Sequence, residues 1–281
     1  MIKKLLSGLA SQVARSRAMQ AVVRHFICPG VVAFLREEVQ ADVVSNSGVM
    51  EAIAWKTHAY LVQNEELRPT GKKCFDERLP SDQTTRKQVV KLVMDCAAVV
   101  EGDILEFGVY KGDSLRWFAD RFPDRRVYGF DSFKGLPQDW GTCPKGTFKG
   151  ELRNIDRANV SLVEGDFEES LPGFLKEWFG RISIVHVDCV LYDSTLACLE
   201  PLIPKLQVGT IVLFDEYYNY PNFAHHEWLA WREVRARHGL TASCVAYDGR
   251  RAAFRITEIK RSQINARTSH GREFRGMKQA S

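Results

Sequence analysis

Between Asp103 and Asp215, five short apolar segments alternate with helical stretches, and this alternation restricts the fold more than any other feature of the chain. The segments are Asp103–Phe107, Arg126–Asp131, Val160–Glu164, Ile182–Asp188 and Gly209–Asp215. Ser114–Arg121, Phe167–Trp178 and Ser194–Leu206 carry apolar residues at helical spacing in the gaps. Strands that read as continuous apolar runs are buried on both faces, so the pattern predicts a parallel sheet covered by helices. Two later segments, Ala242–Tyr247 and Ala252–Ile256, flank Asp248-Gly249, a strong hairpin signal. The expected fold class is therefore α/β: a Rossmann-like, doubly wound, mostly parallel seven-stranded sheet ending in an antiparallel hairpin.

An N-terminal helical extension is expected over residues 1–80, broken at Cys28-Pro29-Gly30 and closed by Arg68-Pro69-Thr70-Gly71-Lys72-Lys73. Ser81-Asp82-Gln83 then opens a helix running to Val100, with Val89, Val90, Leu92, Val93, Ala97 and Ala98 on its apolar side. The main domain is placed at 81–256 and a basic tail at 257–281. The 281 residues carry a net charge of +4, unevenly spread. Residues 1–36 hold six basic side chains and no acid, and the tail holds a net +4, which leaves the body at −6. An acidic body with two basic arms is no nucleic-acid-binding core, and the arms read as solvated tails.

The first 27 residues are Arg-rich, free of acids and apolar near helical spacing. That composition resembles a transit peptide or an interfacial helix, so peripheral contact through this basic helix is one reading. A plain amphipathic helix packing on the body or on a second subunit is the favoured one. No run is long and apolar enough for a transmembrane helix. The seven cysteines lack any CxxC pair, which argues against a zinc site or disulfide framework and for a reducing, cytoplasmic setting.

Open α/β sheets bind ligands beyond the carboxyl ends of their strands. Here those ends are acidic: Glu106, Asp131, Asp166 after Gly165, Asp188, and Asp215 with Glu216. One such acid is commonly just solvated, but acids at five consecutive ends line a single crevice. The first turn, Glu106-Phe107-Gly108-Val109-Tyr110-Lys111-Gly112, is not the three-glycine fingerprint of a dinucleotide site. It holds two glycines and opens on an acid, which disfavours a phosphate and favours a cationic ligand. S-adenosylmethionine, with a sulfonium, an ammonium and no phosphate, suits such a turn better than a nicotinamide dinucleotide. Asp131 lies 23 residues after Gly108, close to the ~20 at which an acid meets ribose hydroxyls. Phe167 offers adenine an aromatic face, or simply starts a helix.

The blocks Glu106–Gly112, Gly129-Phe130-Asp131-Ser132-Phe133-Lys134-Gly135-Leu136-Pro137, Glu164-Gly165-Asp166-Phe167, His186-Val187-Asp188-Cys189-Val190-Leu191-Tyr192-Asp193-Ser194-Thr195 and Phe214-Asp215-Glu216-Tyr217-Tyr218 resemble, in order, the macrocin O-methyltransferase family. That family methylates sugar hydroxyls on macrolides and related glycosylated natural products. The resemblance spans roughly Ser81 to Ile256, and its strongest block is Phe130–Pro137. It implies S-adenosylmethionine bound by Glu106, Gly108, Tyr110, Gly112, Ser114, Asp131, Ser132, Asp166 and Phe167. It also implies Mg²⁺ held by Asp188, Asp215 and Glu216, with Asp188 as general base.

A metal-bound hydroxyl loses its proton more readily, which is the chemistry a sugar alcohol needs. His186, two positions before Asp188, reads as buried and structural. The family usually has an acid where this chain has Val190, and its better-known members have Asp where this chain has Glu216. Tyr218 and His225, in the aromatic stretch that follows, are weak candidates for touching the hydroxyl acceptor, and Trp231 is expected in the core. A homo-oligomer is the expected assembly. Two rivals stand beside the enzyme: a non-catalytic S-adenosylmethionine-binding module, motivated by Val190, and an NAD-dependent oxidoreductase, disfavoured by the two-glycine turn.

Overall fold

The computed structural model describes residue 67 and residues 83–150, 155–220 and 222–260. The expected helical extension, apart from Leu67, and the tail beyond Lys260 lie outside the described residues. Helix α1 (Gln83–Ala97) leads into β1 (Asp103–Phe107), α2 (Asp113–Arg121), β2 (Val127–Asp131), β3 (Val160–Glu164), α3 (Phe167–Glu177) and β4 (Ile182–Val187). Then follow α4 (Tyr192–Leu202), β5 (Ile211–Phe214), α5 (Glu227–His238), β6 (Leu240–Tyr247) and β7 (Ala252–Ile259). The strands form one sheet in the order β3-β2-β1-β4-β5-β7-β6. Strands β3, β2, β1, β4 and β5 are parallel, and β7 runs antiparallel between β5 and β6. This is the expected Rossmann-like sheet with its terminal hairpin.

The central strands explain the continuous apolar runs: every residue of β4 and of β5 is buried. Alternate residues feed opposite faces of the sheet. Ile104, Val127, Ile184, Ile211 and Leu213 join the core cluster that α1 and α2 complete with Val89, Val93, Leu115 and Phe118. Helices α3, α4 and α5 pack on one another in series and also contact the sheet through β2 and β6. Strand β3 is an edge, and none of its residues is buried. Among the described residues no helix is long and apolar enough to cross a membrane.

Several boundaries shift by one to four residues, and two of the shifts have consequences. Strand β7 continues to Ile259, so the sheet reaches past the expected domain end at 256. Helix α4 begins at Tyr192 and gives way at Ile203–Lys205 to a 3₁₀ turn. Pro204 has no N–H for the carbonyl of Glu200, so the α-helical ladder cannot continue there.

Candidate active site

Where the parallel strands end, a cavity of about 600 Å³ opens. It is lined by Gly108, Tyr110, Gly112, Ser114, Asp131, Ser132, Asp166, Phe167, Asp188, Asp215 and Glu216, so most of the sequence-predicted residues meet on one surface. Glu106, Tyr218 and His225 do not line it. Glu106 is wholly buried: Ser114 Oγ donates to Oε1 at 2.9 Å and His186 Nδ1 lies 3.0 Å from Oε2. The pleat sends this side chain under the sheet end rather than into the cavity, where it braces α2 against β4. Tyr218 is also fully buried, and its hydroxyl donates to the Asp248 carbonyl. His225 is exposed in a short 3₁₀ turn, Phe223–His225, away from the cavity. Trp231 is in the core, fully buried against Phe214 and Phe254.

The turn after β1 is tied to Asp131. Its Oδ2 accepts the backbone N–H groups of Val109 and Tyr110 at 2.8 and 2.9 Å, and its Oδ1 accepts that of Phe133 at 2.7 Å. A carboxylate has about four acceptor positions, so one remains for a ligand hydroxyl. Gly108 sits at φ +94, and a Cβ there would come within 1.9 Å of the Asp188 carbonyl oxygen. Its glycine is needed for the approach of β1 and β4 ends, not for approach to a ligand alone. Gly112, at φ 73, starts α2, whose first turn carries Asp113 and whose last carries Arg121, each complementing the helix dipole. Asp166 starts α3 and receives Lys134 Nζ at 3.2 Å, while the Phe167 ring packs edge-on against Phe107 at 5.3 Å.

Asp188 and Asp215, at the ends of β4 and β5, form the charged side of the cavity. Arg86 of α1 bridges them, with Nη2 2.5 Å from Asp188 Oδ2 and Nε 3.0 Å from Asp215 Oδ1. Arg251 Nε adds a bond of 2.9 Å to Asp215 Oδ1, and its Nη1 reaches Asp248 Oδ2 at 2.8 Å. Glu216 is paired with Arg250. Burial and the neighbouring Asp215 raise Asp188 to a pKa of about 6, against the opposing pull of Arg86. Burial and Asp215 likewise raise Glu216 to about 8. Asp215 resists burial because Arg86, His186 and Arg251 surround it, and it is held well below the usual carboxylate range. Burial opposes charge on His186, but Asp215 and Glu106 outweigh it and raise its pKa to about 9.

The sequence patterns do not mark Arg86, Arg250, Arg251 or Glu227 as site residues, nor the cavity-lining Trp140 and Phe148. Arg86 stands three, four and seven residues before Val89, Val90 and Val93, all fully buried. A basic residue on the buried stripe of a helix is the signal that was available. Arg250 and Arg251 complete the hairpin turn, where Asp248 Oδ1 accepts both of their backbone N–H groups at 2.7 Å. Glu227, fully buried at the start of α5, accepts the N–H of Val190 through Oε1 and that of Glu216 through Oε2, each at 3.0 Å. It thereby ties together the loops that follow β4 and β5.

The expected Mg²⁺ does not fit this donor set. Among the described residues, ligand atoms of His186, Asp188 and Asp215 lie within 4.8 Å of one another, and Glu216 is not in that group. Mg²⁺ takes one or two protein carboxylates and completes its octahedron with water and substrate oxygens, so it needs carboxylates that are free to face it. Here two carboxylates are already bridged by a guanidinium, the third expected ligand is paired with Arg250, and Val190 supplies no donor side chain.

A protein-family model described as a methyltransferase domain matches residues 105–217. The chain is 28% identical over 194 residues, covering 60% of it and 71% of the relative, to an 8-demethyl-8-(2,3-dimethoxy-alpha-L-rhamnosyl)-tetracenomycin-C 4'-O-methyltransferase of Streptomyces olivaceus. It is 30% identical over 145 residues to demethyldecarbamoylnovobiocin O-methyltransferase of Streptomyces niveus, covering 42% of this chain and 53% of that one. It is 27% identical over 175 residues to mycinamicin III 3''-O-methyltransferase of Micromonospora griseorubida, covering 53% of this chain and 66% of that one. In fold it is similar to the crystal structure of a calicheamicin methyltransferase, with a TM-score of 0.53 and 24% identity over 71% of this chain and 90% of that one. With the cavity at the strand ends of this sheet, the domain match and these relatives support an enzyme of the class I S-adenosylmethionine-dependent methyltransferase type, and the solved structure shows the fold.

Proposed function

We propose that the enzyme methylates a hydroxyl of a sugar or sugar-bearing small molecule. The observation that carries this reading is that one cavity holds both the β1 turn with Asp131 and the carboxylate of Asp188. The first pair suits a nucleoside, and the second is a proton acceptor. The named relatives support the acceptor class, since one is named as the 4'-O-methyltransferase of a rhamnosyl-tetracenomycin and another as a mycinamicin 3''-O-methyltransferase.

In this reading Asp131 and the backbone around Gly108 hold the ribose end of S-adenosylmethionine, and Phe167 borders the adenine. Bound S-adenosylmethionine supplies an electrophilic methyl group on a sulfonium. The acceptor oxygen forms the new C–O bond as the C–S bond breaks, its proton passes to Asp188, and S-adenosylhomocysteine is left. With its pKa near 6, Asp188 is ionised at neutral pH yet more basic than an ordinary carboxylate, as a general base needs to be. The chain's main contribution is to align the two reactants, because in-line transfer gains most from orientation. Tyr218 and His225 do not line the cavity, whereas Trp140 and Phe148 do, and they are the aromatic candidates for bordering the acceptor. Calorimetric titration with S-adenosylmethionine, followed by transfer of labelled methyl to a panel of glycosylated acceptors, tests the proposal. Tight cofactor binding with no transfer to any hydroxyl of the panel would count against it.

A further inference from the structure

We propose that Arg86 is a built-in cation standing where a divalent metal would stand between Asp188 and Asp215, so that the enzyme needs no divalent metal. The inference rests on the methyl-transfer reading above.

The guanidinium spans the gap between the ends of β4 and β5, one nitrogen on each carboxylate, at 2.5 and 3.0 Å. That is the bridging task a metal would perform. Arg86 reaches it from a helix anchored by Val89, Val90 and Val93, all fully buried, so the guanidinium is delivered by a rigid element. It also lines the cavity, with a side chain only 15% exposed. A planar fork of N–H donors suits two carboxylates, and unlike an ammonium it tolerates partial burial.

Charge points the same way. Asp188 and Asp215 pair with Arg86, Asp215 and Asp248 with Arg251, and Glu216 with Arg250, so each of these carboxyls already faces a guanidinium. A dication entering the cluster would have to displace the Arg86 guanidinium from its ion pairs with Asp188 and Asp215. Arg86 acts through Asp188: a charge-assisted bond fixes the carboxylate's position and keeps it ionised beside a second buried acid.

The test uses the full chain, stripped with EDTA and dialysed. Mn²⁺ titration followed by electron paramagnetic resonance reads the cation site with neither cofactor nor acceptor present. We expect no site-bound Mn²⁺ signal in the wild type, and turnover that EDTA does not lower and Mg²⁺ does not raise. Arg86→Ala is expected to gain a bound Mn²⁺ signal. Its kcat should drop at least about tenfold, with the KM for S-adenosylmethionine nearly unchanged and partial recovery on adding guanidinium ion. Arg86→Lys keeps a cation and serves if the alanine variant does not fold; it should still exclude Mn²⁺. A stoichiometric Mn²⁺ signal in the wild type, or EDTA-sensitive turnover restored by Mg²⁺, would overturn the proposal. A chain that excludes Mn²⁺ but fails to bind S-adenosylmethionine would instead overturn the methyl-transfer reading.

Discussion

Gly108 and Asp188 meet backbone to backbone, and a Cβ on the glycine would lie 1.9 Å from the aspartate's carbonyl oxygen. The turn assigned to the cofactor and the proposed base are thus held against each other by the absence of one methyl group. Gly108→Ala must both accommodate φ +94 and push β4 away. Strain and overpacking together should cost about 3 kcal/mol or more. Urea denaturation measures it, and a midpoint equal to that of the wild type would sink the close-approach explanation.

Asp188→Asn keeps the shape of the side chain and removes its ability to take a proton. Methyl transfer is expected to fall about 10²–10⁴-fold, with S-adenosylmethionine affinity little changed. Because the base must be ionised, wild-type kcat/KM should fall as pH drops through about 6. A rising limb centred in the ordinary carboxylate range would show that burial and Asp215 do not govern this group.

The sheet was legible because its strands are buried on both faces, and double burial writes itself as the uninterrupted apolar runs of Ile182–Val187 and Ile211–Phe214. The acids at the strand ends were legible as a set, since strand ends share one rim. What sequence could not resolve was which way each acid points. Glu106 precedes Phe107 on a fully buried stretch of β1, and the pleat turns it toward His186. Arg86 lies 102 residues from its partner Asp188, and no local pattern encodes that pairing. Tyr218 looked available in an aromatic loop, but its hydroxyl is bound by the hairpin turn at Asp248, a contact made only once β7 inserts beside β5.

His186 provides a stability test at alkaline pH. Its folded pKa of about 9 exceeds the reference value of 6.5, so the native state holds this proton longer than the unfolded chain. The resulting stabilisation is fully present below pH 6.5 and is lost as pH rises through about 9. Its ceiling is about 3 kcal/mol. His186→Gln should melt well below the wild type near neutrality, and the gap should narrow by about pH 10. A gap constant across that window would mean that the imidazole is neutral beside Asp215 and Glu106.

Glu227 should prove the pivot of the acceptor side, because its two oxygens hold the N–H groups of Val190 and Glu216, one on each loop. Val190 sits at φ 60, a left-handed conformation that a β-branched residue adopts only under constraint. The bond from its N–H to Glu227 is what offsets that strain. In Glu227→Gln one oxygen becomes an NH₂ facing another N–H, which should cost about 1–3 kcal/mol, and Glu227→Ala should cost more by adding a void. If the constraint is mutual, Val190→Gly removes the strain that Glu227 restrains, so the two substitutions should not add. A double-mutant cycle by urea denaturation should then show a coupling of about 0.5–3 kcal/mol. Strict additivity would mean that Val190 is held by its packing, with Glu227 serving Glu216 alone.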